Sequence, residues 1–248
     1  MAEGAALSRD PSKLCAPLAA FAKVLLTRAL RGEEVVVHGP RGVGKTSVIL
    51  ELRARLEEAG VSVGHSAYTR TLADVVSALS RAFPEAVRDE SIPARWQRGR
   101  LRMAVEQRRA VLLLDHVETV TSPMRSFLRK LRGKALGVVF AVDVDSARDR
   151  ARLNELRLTH HHLAFPRVHG NALRAVFQDR LRHAGAPAAP DEADVVEIVR
   201  AAEGRPGWVV ECASRLRELR YWNGTRLRLG LLRADVAAEL LGRYLITV

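Results

Sequence analysis

The residues Gly39-Pro40-Arg41-Gly42-Val43-Gly44-Lys45-Thr46 constrain this chain more than any other stretch. They fit the pattern GxxxxGK[ST] in full. A β-branched run, Glu34 to His38, precedes them, and a helical periodicity follows from Thr46 to Glu58, ending at Gly60. A strand, a glycine-rich turn and a helix in that order make an anion cradle. Small residues let successive backbone N–H groups curl around phosphates without Cβ clashes. The helix then aims the positive end of its dipole at the same anion. In such a loop Lys45 reaches the β- and γ-phosphates of a nucleotide, and the Thr46 hydroxyl binds Mg2+. Gly39, Pro40, Arg41, Gly42, Val43, Gly44 and Ser47 complete the cradle. The chain has no guanine-reading NKxD-like element, which favours ATP as the nucleotide.

Around this loop the pattern alternates. Strands are expected at Val61 to Tyr68, Ala110 to Leu114, Leu136 to Val142 and His160 to Phe165. Helices are expected near 12–31, 71–83, 95–109, 123–132 and 145–157, with Pro84 to Pro93 as a loop. Alternation of this kind points to an α/β fold, a parallel sheet flanked by helices. After Pro166 only helical segments are expected, near 170–183, 191–202, 206–220 and 233–243, broken by the loop HAGAPAAP. The expected organisation is a P-loop core over 12–166 and a small all-helical lid over 167–248.

A P-loop enzyme needs a carboxylate on a neighbouring strand to hold Mg2+ through water. Val111-Leu112-Leu113-Leu114-Asp115 supplies four apolar residues ending in an acid, at the strand edge where open α/β sheets bind ligands. Many ATPases place a Glu directly after this Asp to polarise the attacking water. Here the residue is His116, and Glu118 follows two positions later. Three readings stay open. Neutral His116 acts as the base, since its ordinary pKa lies near neutrality. Glu118 reaches the water. Or the site turns ATP over slowly, as a switch or with a partner's stimulation, which the substitution favours.

With the phosphate loop, the LLLDH strand end and the helical tail together, the chain resembles the AAA+ ATPases. More narrowly, it resembles the compact branch that includes origin-recognition initiators, transposition regulators and secretion-type ATPases, with the signal-transduction ATPases with numerous domains as close relatives. The resemblance implies ATP held between core and lid, and lid closure that changes the surface offered to partners. It implies a polar sensor residue at the end of the strand GVVFAVD, where Asp143 is the best match and Asp145 or Ser146 could substitute. The family usually has Asn, Ser or Thr there. It implies an arginine finger reaching a neighbouring subunit's nucleotide. Arg148, Arg150, Arg152 and Arg157 are candidates, with Arg157 the first choice. In Glu203-Gly204-Arg205-Pro206-Gly207-Trp208 it implies Arg205 as a sensor of the γ-phosphate and Pro206 near the base. Read without the family, the same residues open a helix with Pro in its first turn.

Lys and Arg number 40 against 28 Asp and Glu, a net charge of +12. Such a chain is a candidate for nucleic-acid or acidic-surface binding. Only Lys13, Lys23, Lys45, Lys130 and Lys134 are lysines, and that arginine bias is also what a GC-rich genome would leave. Two clusters could track a phosphate backbone: Arg95, Arg98, Arg100, Arg102, Arg108 and Arg109, and Arg125, Arg129, Lys130, Arg132 and Lys134. No DNA-reading module is evident, so any DNA contact is expected to be non-specific. A protein partner or self-assembly is the other expectation. Trp96, Trp208 and Trp222 are expected to pack in core or lid. His160, His161 and His162 alternate faces on a strand and cannot converge on one metal. Cys15 and Cys212 form no metal-spaced set. The chain has no secretory pattern and no stretch near the roughly 18 apolar residues of a membrane span. A cytoplasmic protein without membrane contact is therefore expected.

Overall fold

The computed structural model describes residues 14–87, 94–131, 136–145, 149, 153 and 161–242. Contacts divide the chain into two units. One holds the residues up to Pro40 together with Lys45–Phe165, and the other holds Arg41–Gly44 together with Pro166–Val248.

The first unit is built on five strands, β1 (Glu34–Gly39), β2 (Ser62–Ser66), β3 (Ala110–Leu114), β4 (Leu136–Asp143) and β5 (His161–Ala164). They form one sheet in the order β2-β3-β4-β1-β5, and every pairing is parallel. β3 and β4 are near-continuous apolar runs, as strands covered on both faces must be. Helices α1 (Ala16–Leu30) and α2 (Lys45–Glu58) pack together. α1 buries Leu18, Ala22, Leu25 and Ala29, one stripe at helical spacing. Helices α3 (Leu72–Ala82), α4 (Ala94–Gln107) and α5 (Ser122–Leu131) share a second core. In it Val75, Leu79, Leu101, Val105, Met124 and Phe127 join Val36, Leu112 and Phe140 of the sheet. Thr71 starts α3 with a capping box, its hydroxyl accepting from Asp74 N–H while the Asp74 carboxylate accepts from Thr71 N–H.

The strand order corrects one expectation. β4 lies between β1 and β3, so Asp115 is not on the strand next to the phosphate loop. The residue in register with Gly39 is Asp143. Chain order cannot reveal this, because β4 enters the sheet between strands that precede it in sequence.

Trp96 is also corrected. α4 turns Leu101 and Val105 inward, and Trp96, five residues before Leu101, falls off that stripe and is 61% exposed. Trp222 is buried and Trp208 half-buried. The helix expected near 145–157 lies almost wholly outside the described residues, and so does His160.

The second unit contains α6 (Gly170–Ala184), α7 (Glu192–Ala201), α8 (Pro206–Arg215) and α9 (Leu229–Gly242). Between α8 and α9 the chain adds a two-stranded hairpin, Trp222–Asn223 against Arg226–Leu227. Two residues per strand are too few for alternation to signal. The hairpin also explains why α8 stops at Arg215 rather than near 220, since the chain must turn to bury Tyr221 and Trp222. Trp222 Nε1 donates to Leu216 O at 2.7 Å. The last helix starts at Leu229, ahead of the expected 233.

Tyr221 is fully buried, and its hydroxyl serves three partners. It donates to Asp235 at 2.9 Å, accepts from Arg215 at 3.1 Å and accepts from Arg220. Arg215 also pairs with Glu211 and Glu239. Tyr221→Phe keeps the ring and removes the shared atom. The expected loss is about 1–3 kcal/mol of stability, read from the urea midpoint.

Candidate functional site

In a parallel sheet all strands end at one edge, and here that edge collects β1, β3 and β4 with their following loops. Gly39 closes β1 and Asp143 closes β4 beside it. Asp115 follows β3, its N–H donating to Ser66 O at 2.8 Å. Positive φ at Gly42 (79°) and Gly44 (106°) gives the loop a path that other residues rarely adopt.

Lys45 opens α2 and is only 6% exposed. Its Nζ donates to Gly39 O at 2.7 Å and Pro40 O at 2.8 Å, and lies 2.7 Å from Asp143 Oδ1. An ammonium has three donors, so these partners use all of them. Burial works to raise the Asp143 carboxyl. The His116 hydrogen bond and the Lys45 charge outweigh it and hold Asp143 well below the ordinary carboxylate range.

His116 adopts φ 46°, in the left-handed region. Its N–H donates to Asp115 Oδ1 at 2.9 Å. Its ring sets Nδ1 3.4 Å from Asp143 Oδ2 and Nε2 3.5 Å from Thr46 Oγ1. Tyr68, from the loop after β2, stacks on the ring with centroids 5.1 Å apart and planes at 18°. The bond to Asp143 raises the His116 pKa against the opposing effect of burial.

Asp115 is 1% exposed, and among the described residues its Oδ2 has no hydrogen-bond partner. A buried carboxylate oxygen left without a donor is costly unless a ligand or cation satisfies it. Together with the Thr46 hydroxyl it makes an oxygen donor set, which suits a hard cation such as Mg2+.

The structure brings Lys45, Thr46, Asp115, His116 and Asp143 to this edge. Glu118 is exposed and pairs with Arg70 at 2.8 Å. Asp145 is exposed, and its N–H donates to Asp149. Arg157, Arg148, Arg150, Arg152 and Ser146 lie outside the described residues, as do Arg132 and Lys134 of the basic clusters. Ser47 sits in the first turn of α2, half-buried. Tyr68 is the site neighbour that sequence reasoning missed, being a single aromatic in a loop with no motif around it.

Within the second unit, Gly207 N–H donates to Gly42 O at 2.7 Å. Arg205 precedes α8, is half-buried and pairs with Glu203 at 3.2 Å. Pro206 is buried in the first turn of α8, and Val43 is buried as well. Burial pushes the Cys212 thiol up to about 12, which makes it an inert core residue. Among the described residues, no group of three His, Cys, Asp or Glu could hold a metal ion, and no helix is long and apolar enough to cross a membrane.

A family profile described as AAA ATPase domain matches residues 17–196. No curated protein matches the chain. Among solved structures, the chain is similar to the Orc1 protein of Aeropyrum pernix in complex with DNA. The identity is 20% and the TM-score 0.58, over 90% of this chain and 66% of that one. Cdc6p from Pyrobaculum aerophilum is 16% identical with a TM-score of 0.60, over 82% of this chain and 62% of that one. A RuvB mutant from Thermotoga maritima is 13% identical with a TM-score of 0.52, over 94% of this chain and 72% of that one. The chain spans slightly less than two thirds of the length of the first two. At such identities the likeness to these structures is one of fold. The profile covers well over half of the sequence, and the chain belongs to the AAA+ ATPases.

Proposed function

We propose that the chain binds ATP with Mg2+ at Gly39–Ser47 and hydrolyses it slowly, with turnover raised by a partner. The observation that carries this reading is the buried Oδ2 of Asp115, which has no hydrogen-bond partner among the described residues, at the sheet edge that also bears Lys45 and Thr46. Lys45 would leave Asp143 for the β- and γ-phosphates and neutralise charge developing there. Thr46 would hold Mg2+ directly and Asp115 through water. When bound, the ion neutralises phosphate charge. A water oxygen bonds to the γ-phosphorus as the bond to the bridging oxygen breaks, and ADP departs with that electron pair. One water proton stays on the phosphate and the other passes to His116. His116 is favoured over Glu118 because its ring, not the Glu118 carboxylate, lies against Thr46.

Arg205 is proposed as the γ-phosphate sensor, supported by its place beside Gly42, and Pro206 as a neighbour of the base. Arg157 is proposed as the residue acting on another subunit's nucleotide, on the family resemblance alone. Nucleotide state would change the conformation of the core, 12–166, and the lid, 167–248, and so control assembly with a protein partner, another copy or DNA. Exposed Arg98, Arg100, Arg102, Arg108 and Arg109 support a non-specific DNA contact.

The test is ATP binding and steady-state hydrolysis, with and without Mg2+ and duplex DNA, for the native chain and Asp115→Asn. Mg2+-dependent turnover is expected, reduced about 10–100-fold in Asp115→Asn. Equal Mg2+ dependence in both proteins would sink the assignment of Asp115. Tight binding without turnover in any condition selects the alternative, a nucleotide-gated protein-binding switch, which His116 at the usual Glu position favours.

A further inference from the structure

We propose that Asp143 is a positioning residue for His116, fixing the ring as the Nδ1–H tautomer so that the bare Nε2 faces Thr46. The inference rests on the nucleotide-hydrolysis reading for its use, but its geometry stands apart from it. A carboxylate only accepts, so the ring nitrogen 3.4 Å from Asp143 Oδ2 must carry the hydrogen. In a neutral ring the other nitrogen is then an acceptor. That nitrogen is the one 3.5 Å from Thr46 Oγ1. Both contacts are long, near the outer limit of hydrogen-bond distance.

Three further features hold the ring in this pose. His116, at positive φ immediately after β3 ends, has its ring against Asp143 at the end of β4. The Asp115 carboxylate accepts the His116 N–H and pins that turn. Tyr68 covers one face of the ring. A non-glycine residue in the left-handed region persists only where its surroundings over-determine it, and such residues cluster at functional sites. Asp143 meets Lys45 through Oδ1 and His116 through Oδ2. When phosphate takes Lys45, the contact on Oδ2 is left in place. Nucleotide arrival therefore preserves the orientation of the ring, whose Nε2 lone pair accepts a hydrogen bond from the attacking water. A carboxylate and a histidine in sequence take the part that a single Glu plays in many ATPases.

The test begins with 15N-histidine NMR of the nucleotide-free protein at alkaline pH, with the His116 signals assigned by their loss in His116→Gln. The expected signature is protonated Nδ1 and bare Nε2, the reverse of the tautomer a free imidazole prefers. Asp143→Ala, which removes the acceptor, should abolish it. A wild-type ring protonated on Nε2 overturns the proposal, whatever the enzyme activity. The second arm measures turnover. Asp143→Ala should lower kcat by a larger factor in the native background than in His116→Glu, whose carboxylate needs no orienting partner, since any effect through Lys45 is common to both. An equal loss in both backgrounds overturns the positioning role. If no protein in the set hydrolyses ATP, the hydrolysis reading fails, and the tautomer result still decides the inference.

Discussion

Lys45→Ala is expected to abolish measurable ATP binding at micromolar nucleotide, in isothermal titration with Mg2+ present. Removing one partner of a desolvated charge contact costs about 2–5 kcal/mol, a loss of roughly thirtyfold to several thousandfold in affinity. The Lys45 ammonium sits at the sheet edge, held by Gly39, Pro40 and Asp143 where the phosphates are expected. The substitution also strips Asp143 of this cation, so a modest loss of fold stability should accompany it. A urea titration of the ligand-free variant separates the two effects. A folded variant with native affinity would remove the phosphate-loop assignment.

Gly137→Ala is expected to be the most damaging small substitution in the fold. Gly137 lies in β4, and a Cβ there would press on Ala29 O and stand 2.9 Å from Ala29 C, at the end of α1. Backbone cannot rotate aside as a side chain can, and β4 is held by β1 and β3 on its two edges. Either α1 lifts or the strand bends. The expected cost is about 3 kcal/mol or more, at the upper end for overpacking. Gly99→Ala is the internal control. It lies within α4 with open space around its Cβ position, and it should gain about 0.5–1 kcal/mol from helix propensity. Equal urea midpoints for the two variants would contradict the close approach of α1 to β4.

Much of this molecule is legible in its sequence because the signals are local. The strand–turn–helix around Lys45 is contiguous, and each part has its own residue signature. The apolar runs of β3 and β4 announce buried strands without reference to neighbours. Asp143 can be named from its place at a strand end. Its partners cannot, because Lys45 and His116 meet it only through the insertion of β4 between β1 and β3. The turn at His116 is equally hidden, since nothing in Asp115-His116-Val117 demands a positive φ. Tyr68 and the Trp222–Leu227 hairpin lack periodicity; Asn223-Gly224 marks a turn there, with Gly224 at φ 62°, and the burial of Tyr221 and Trp222 fixes the rest.

The engagement of Lys45 bears on selectivity. With all three donors already used, an incoming anion does not add to a vacant charge; it must exchange for partners already in place. A small monovalent anion offers one contact for the several it displaces. A polyphosphate brings several oxygens at once and also meets the loop amides and the helix terminus. Discrimination against the simple salts that crowd any cell is therefore built into the contacts of Lys45, before the shape of any nucleotide is read.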